Sequence, residues 1–315
     1  MIFYHKLSGL LVTVFAYLWS YYLLGHYVSG DQVHYYRFYE AASDAGLVEA
    51  ILLGAAMLSS GEPGSLSVLW FGAMLGVPKN IYVSVLNVIF VLGIFNLCRK
   101  NRCPWYAFLL LVFGYYSLVL MTGAERLKIG YIFIIWSLLF SGFLRYLFAA
   151  FSFLSHFQML AFIVIAYVKF FSTECLNIFK TAKVGKLFLA SAAVSVVVTI
   201  PVLAILAGKI YAKILAYYGN ELKFIDIVNV LIIFLLAFLV FRRWDFRVWG
   251  ILLFLPLVLI LGGSRVNIMV VSFALYYFII FQKMANPLVF LLLCYFLFKS
   301  YFFVSSILIH GHGFG

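Results

Sequence analysis

Apolar stretches recur along nearly the whole chain, at 7–25, 81–98, 104–121, 127–144, 146–168, 187–207, 225–241, 248–262, 266–281 and 287–304. Each is closed by charge, glycine or proline. A helix crossing a bilayer needs about 20 predominantly apolar residues, and in hydrocarbon the backbone must satisfy its own hydrogen bonds, which favours helices. The pattern therefore predicts an all-α polytopic membrane protein of roughly ten to twelve transmembrane or re-entrant helices. No stretch is long enough and polar enough to fold apart, so residues 1–315 read as a single integral membrane domain. Met1 to Lys6 gives the first helix a cationic start with no clean cleavage site after it, which reads as an uncleaved first span.

Two shorter apolar pieces, Leu47 to Leu58 and Ser65 to Val77, are near half the spanning length. Pieces of about 10–14 residues suit interfacial or re-entrant elements. They flank Gly61-Glu62-Pro63-Gly64, so a broken structure lining a cavity is expected there. Just upstream, Gly30 to Tyr39 packs Asp31, His34 and Arg37 among four aromatics, in a chain with only 10 acidic residues. Both breaks are expected at one membrane surface.

The net charge is +12. Cytoplasmic loops gather Lys and Arg, and the rest of the excess suits an anionic lipid head or a diphosphate. Nucleic acid is excluded as a partner, since no soluble basic surface has room for a duplex. Lys6 places the N-terminus inside and the Asp31 loop outside; Lys180, Lys183, Lys186, Arg242, Arg243 and Arg247 mark later cytoplasmic loops. Arg99, Lys100 and Arg102 conflict with this if every intervening segment spans, and the face of Arg126 stays open.

Ionisable groups within or at the edge of spans point to function. Arg126 follows Thr122-Gly-Ala-Glu125 and opens an apolar helix, where a bond to Glu125 is the plainer role. Arg145 reads as a helical hairpin turn. His156 lies inside an apolar run between Ser155 and Gln158; neutral imidazole serves as a general base or as a hydrogen-bonding core residue. Arg265 follows Gly262-Gly263-Ser264, where glycines permit close backbone approach and a guanidinium grips phosphate bidentately. Lys209 and Lys213 are further candidate cations on the outer side, and Glu62 is either a plain helix start or a base. Tyr35 and Tyr39 read as interfacial anchors, with stacking on sugar rings as the other role.

Phosphate-loop, zinc-protease, paired-carboxylate and serine-nucleophile motifs are missing from the sequence, so neither an ATPase engine nor a metal or other cofactor is expected. The four cysteines have no zinc spacing, and free thiols are expected over a Cys98–Cys103 bridge. The His310-Gly-His312-Gly tail reads as frayed rather than metal-binding.

Asp31 with Tyr35, Tyr36 and Tyr39, followed by Glu62-Pro63-Gly64 opening a short helix that ends in Leu75-Gly76-Val77, resembles the EpsG-like and Wzy-type polysaccharide (O-antigen) polymerases. Arg126 and Ser155-His156-Phe157 follow in the order that family shows, while Gly30 stands where such proteins often carry arginine. The resemblance covers the first half best. It implies a C-type glycosyltransferase-like fold in the bacterial inner membrane. It also implies metal-independent, periplasmic joining of undecaprenyl-diphosphate-linked repeat units, glycan donor to glycan acceptor, with release of polyprenyl diphosphate. Membrane lipids, and a chain-length regulator as a candidate, are the further partners.

On that reading Arg126 and Arg265, assisted by Lys209, Lys213 and Arg37, hold the diphosphate; Asp31, Glu62 or His156 is the base; and Tyr35 and Tyr39 face the sugars. A membrane acyltransferase using His156, or a lipid-linked oligosaccharide flippase, are the competing expectations. The flippase reading lacks the internal repeats common in transporters.

Overall fold

The computed structural model describes residues 2–58, 61–167, 178, 180–181, 224–242, 246–261 and 263–313. The expected segment at 187–207 lies outside these residues, as do Lys183, Lys186, Lys209, Lys213, Arg243, Gly262 and Cys175. The described residues are helical throughout, without strands. Four helices are long and apolar enough to cross a membrane: Ser8–His26, Lys79–Lys100, Phe224–Phe241 and Pro287–His310. Trp105–Phe113 and Tyr115–Thr122, bent by 50° at Gly114, form a broken span or a re-entrant loop. These support a membrane protein; among the described residues they do not extend to ten to twelve crossings.

The chain forms two compact units, one of residues 1–159 with 290–315, the other of residues 160–289. The first contains α1 (Ile2–His26), α2 (Asp31–Ala41), α3 (Leu47–Met57), α4 (Pro63–Met74), α5 (Lys79–Lys100), α6 (Trp105–Phe113), α7 (Tyr115–Thr122), α8 (Glu125–Leu139) and α9 (Gly142–Ser155). α10 (Met159–Ala166) begins at the boundary with the second unit. The second also holds α11 (Phe224–Phe241), α12 (Phe246–Trp249), a 3₁₀ turn (Gly250–Phe254), α13 (Leu255–Leu261) and α14 (Gly263–Ile280). α15 (Pro287–His310) returns to the first unit.

Within the first unit, side-chain contacts decide which helix ends share a face. Gln32 on α2 reaches the Thr122 carbonyl at the end of α7 and the Lys79 ammonium at the start of α5. The Gly311 carbonyl, just past α15, accepts from Val28 N–H and Ser29 N–H, both at 3.0 Å. The ends of α1, α7 and α15 and the starts of α5 and α8 therefore lie together. The turn at Arg99, Lys100 and Arg102 sits at the far end of the 22-residue α5, about 33 Å away at 1.5 Å per residue. Because α2, α3 and α4 do not cross, α5 alone separates this basic turn from Asp31. That puts this basic turn at the same end as the start of α1, while its relation to the Lys180 loop runs through residues outside those described, and Arg126 shares the face of Asp31.

Three stretches expected as unbroken spans are broken or cut short. The 104–121 run bends at Gly114, whose backbone is extended. The 127–144 and 146–168 runs become a helical hairpin of 15 and 14 residues, each about 22 Å long and short of the ~30 Å hydrocarbon core. Arg145 Nε donates to the Phe140 carbonyl at 3.1 Å, closing the hairpin turn as its position suggested. Met159 N–H bonds the His156 carbonyl in a tight turn, so His156 sits at a helix end rather than mid-helix. The His310–Gly313 tail is docked rather than frayed: besides the two backbone bonds to Gly311, Ser29 Oγ donates to its carbonyl at 2.9 Å. Cys98, Cys103 and Cys294 are free thiols.

Candidate functional site

Three helix breaks in the first unit meet at one point. Glu62 is the N-cap of α4 and Pro63 occupies its first position, where a missing N–H is harmless. The Glu62 side chain does not cap its own helix but reaches across it. What lets it do so is Gly64: a Cβ there would lie 2.8 Å from Leu154 C and Ser155 N, so α4 rests directly on the last turn of α9. On the opposite side, Gly130 of α8 faces His156 Cβ, and Ser152 Oγ donates to the Gly130 carbonyl at 2.8 Å. α9 is thereby held between α4 and α8, and its chain leaves in extended conformation at His156.

The meeting groups are Glu62, His156, Arg126 and Tyr35. Glu62 Oε1 contacts His156 Nδ1, and Glu62 Oε2 pairs with Arg126 Nη1 at 3.2 Å. Arg126 Nε donates to Tyr35 Oη at 3.4 Å. Nδ1–H donating to the carboxylate leaves His156 Nε2 as a proton acceptor. The Glu62, His156 and Arg126 side chains are 5%, 11% and 15% exposed, so the guanidinium is the least covered of the three. Burial raises the Tyr35 phenol above its usual range, outweighing the opposite pull of Arg126, so it stays neutral.

A second network lies beside the first and shares its elements. Gln32 is one turn before Tyr35 on α2, and Glu125 immediately precedes Arg126 on α8. Lys79 Nζ bonds Glu125 Oε1 at 2.8 Å and Gln32 Oε1 at 2.5 Å, and Gln32 Nε2 donates to Glu125 Oε1 at 2.9 Å. Lys79 also lies 4.1 Å from the centroid of the Tyr36 ring. Lys128, one turn on, is fully buried with its Nζ 3.5 Å from the Met121 carbonyl. The carboxylate next to Arg126 in sequence is thus taken by Lys79, and Arg126 turns to Glu62.

The sequence-derived candidates divide accordingly. Glu62, His156, Arg126 and Tyr35 come together. Asp31, the first residue of α2, is exposed, and its charge acts on Arg126 and Tyr35 from the rim. Arg37 is exposed on α2. Tyr39 is committed to packing: its hydroxyl donates to the Val77 carbonyl at 2.9 Å and presses on Gly72. Arg265 belongs to α14 of the second unit, and its side chain lies outside the described residues. In that corner the close approach allowed by Gly263 is made by the Asp226 carboxylate, which also accepts from Asn267 at 2.9 Å. Among the described residues no group of three metal-ligating side chains occurs.

No family model, no curated protein and no solved structure matches the chain. The site therefore has to be read from its own chemistry. Sequence reasoning missed Gln32, Lys79 and Lys128. Lys128 was visible as a lysine three residues inside an apolar helix, the placement that marks a costly and purposeful charge. Gln32 and Lys79 gave no such signal.

Proposed function

We propose that this protein is a polysaccharide polymerase, joining polyprenyl-diphosphate-linked oligosaccharide repeat units in the bacterial inner membrane. The observation that carries the reading is the convergence of Glu62, His156 and Arg126 from three helix breaks on one face of the first unit. Arg99, Lys100 and Arg102 lie on the opposite face, which the positive-inside tendency makes cytoplasmic. That leaves Arg126, Glu62 and His156 periplasmic, as the donor chemistry requires.

In the proposed reaction the acceptor sugar hydroxyl attacks the anomeric carbon of the donor glycan. The bond from that carbon to the diphosphate oxygen breaks, and the hydroxyl proton passes to His156 Nε2. Glu62 sets the imidazole tautomer and stabilises the imidazolium as it forms, the role a carboxylate plays behind a catalytic histidine. Arg126 offers the leaving diphosphate a fixed positive charge, with Tyr35 and Glu62 holding the guanidinium in place. Polyprenyl diphosphate leaves, and the glycan is longer by one repeat unit.

Purified protein given a defined lipid-linked repeat unit tests this. Wild type should lengthen the glycan. His156→Ala should slow it by about 10²–10⁴-fold, the usual worth of general base catalysis. Arg126→Ala should slow it by about 10²–10³-fold, the loss seen when a charge-stabilising donor is removed. If both variants, inserted normally, made glycan of wild-type length, the site assignment would be wrong. Acylated glycan would instead indicate an acyltransferase, and unchanged substrate on the other leaflet a flippase.

A further inference from the structure

The far end of α5 carries a pair of thiols that the proposed reaction does not use. α5 closes at Asn101, and Arg102 turns left-handed at φ 54°. Arg102 N–H donates to the Arg99 carbonyl at 3.2 Å, and Cys103 N–H donates to the Cys98 carbonyl at 2.9 Å. These are the two bonds of a Schellman helix end, in which the residues joined by the outer bond bring their side chains together. That contact is commonly hydrophobic. Here both positions are cysteines, and the Cys98 thiol donates a hydrogen bond to the Cys103 sulfur. Asn101 Nδ2 ties the turn back to the Leu97 carbonyl at 2.8 Å, and Pro104 follows Cys103 directly. The turn that pairs the sulfurs is therefore held on both sides.

The two sulfurs are not equivalent. Cys98 is 3% exposed, whereas Cys103 is half-buried and open to a small reagent. The hydrogen bond from Cys98 holds the Cys103 thiol below its usual range, against a smaller opposing effect of burial. Cys103 is thus the better nucleophile, with Cys98 behind it and within reach. An accessible thiolate-prone cysteine beside a resolving one is the arrangement of redox-sensing pairs. Arg99, Lys100 and Arg102 put this turn on the face read as cytoplasmic. Disulfides in that compartment are transient and redox-sensing rather than structural.

We propose that Cys98 and Cys103 form a dithiol oxidised by hydroperoxides, with Cys103 attacking and Cys98 resolving, and that the resulting disulfide staples the end of α5. In the first step the Cys103 sulfur attacks the O–O bond of hydrogen peroxide. An S–O bond forms, the O–O bond breaks, and the departing oxygen leaves as water with the thiol proton, so that Cys103 becomes a sulfenic acid. In the second step the Cys98 sulfur attacks the Cys103 sulfur. The S–S bond forms, the S–O bond breaks, and hydroxide leaves as water with the Cys98 proton. The two thiols supply the electron pair that reduces the peroxide, and a dithiol reductant reverses the change. The site stands independently of the polymerase reading.

The test uses the full chain, purified in detergent under reducing conditions, treated with equimolar hydrogen peroxide, alkylated and mapped by peptide mass. Wild type should yield a Cys98–Cys103 disulfide that dithiothreitol reverses, while Cys294 remains alkylatable. Before oxidation, Cys103 should be alkylated about tenfold or more faster than Cys98. In Cys98→Ser the reaction should stop at the Cys103 sulfenic acid, captured by dimedone. In Cys103→Ser, Cys98 should stay reduced at the peroxide dose that converts wild type. A sulfenic acid that persists at Cys103 in wild type, or no oxidation there, would overturn the pairing. Cys98 oxidised as readily in Cys103→Ser as in wild type would overturn the assigned order of attack. Amide exchange at Cys103 should slow on oxidation, and unchanged or faster exchange would overturn the staple.

Discussion

Replacing Lys79 with methionine puts a number on the network that aligns α2, α5 and α8. The Lys79 ammonium lies 2.8 Å from Glu125 Oε1, and the two side chains are 3% and 0% exposed. Removing one partner of a buried pair leaves the other charge in a low dielectric, at about 3–5 kcal/mol. Lys128 sits one turn beyond Glu125 without pairing with it, and its charge trims the loss, so Lys79→Met should fall near the low end, about 3 kcal/mol. Glu125→Leu strands the buried Lys79 ammonium with Lys128 beside it and should fall near the high end, about 5 kcal/mol. The double variant Lys79→Met/Glu125→Leu replaces the pair with apolar groups and should return to within about 1 kcal/mol of wild type. Lys128→Met removes a fully buried amine whose Nζ lies 3.5 Å from the Met121 carbonyl, and it should be neutral or stabilising.

Thermal unfolding of the four purified variants in detergent reads these differences, at roughly 2–4 °C per kcal/mol. The pair is then isolated by the double-mutant cycle. A coupling energy below about 1 kcal/mol would refute the reasoning, because a pair this buried cannot be nearly indifferent to losing one member. Lys128→Met proving as harmful as Lys79→Met would refute it differently, by making Lys128 the true partner of Glu125.

Gly64→Ala should destabilise by about 1–3 kcal/mol, the usual result of overpacking, and should lose activity together with the Glu62–His156 contact; a fully active Gly64→Ala protein would mean that α4 and α9 are not in backbone contact. Removing Gly311 to Gly315 deletes three hydrogen bonds to Val28 and Ser29, worth about 0.5–1.5 kcal/mol each. Amide exchange across Asp31 to Ala41 should quicken as α2 loosens, and unchanged exchange would show that the tail is no brace. Glu62→Gln should tighten binding of inorganic diphosphate, by freeing Arg126, while turnover on the lipid-linked glycan falls. Equal losses in both would mean that Glu62 merely holds the fold.

Much of the helical layout was legible because hydropathy reports membrane crossings directly. α1, α5, α11 and α15 begin and end within a few residues of the apolar runs that predict them, apart from the end of α15. The break at Glu62 was legible too, since Gly61-Glu62-Pro63-Gly64 interrupts the apolar pattern. The breaks at Gly114 and His156 were not, because long apolar runs flank both, even around the short polar tract Ser155-His156-Phe157-Gln158, and hydropathy does not see a bend. They are imposed by tertiary packing, at His156 by the close seating of α9 between Gly64 and Gly130. The Gln32–Lys79–Glu125 network was unreadable for a different reason. Its members lie 46 and 93 residues apart, and nothing local marks them as partners. Proximity in sequence misled at Arg126, where Glu125 is adjacent but points the other way.

The geometry of the breaks explains why function would gather here rather than along any intact span. An unbroken helix satisfies its own backbone and presents only side chains, whereas a helix end exposes polar backbone and a partial charge of fixed sign. Here α4 and α8 both begin at the cluster, bringing two positive ends toward the Arg126 guanidinium. α9 ends there, and its negative end lies at His156, favouring the imidazolium that forms when the ring takes a proton. Anion binding and proton acceptance, which oppose one another when housed in a single field, are thus supported by ends of opposite sign. Glu62 joins them, pairing with the cation on one oxygen and the imidazole on the other. On the proposed function, an incoming diphosphate competes with Glu62 for Arg126, and substrate arrival then changes the charge felt by His156 without any helix having to move.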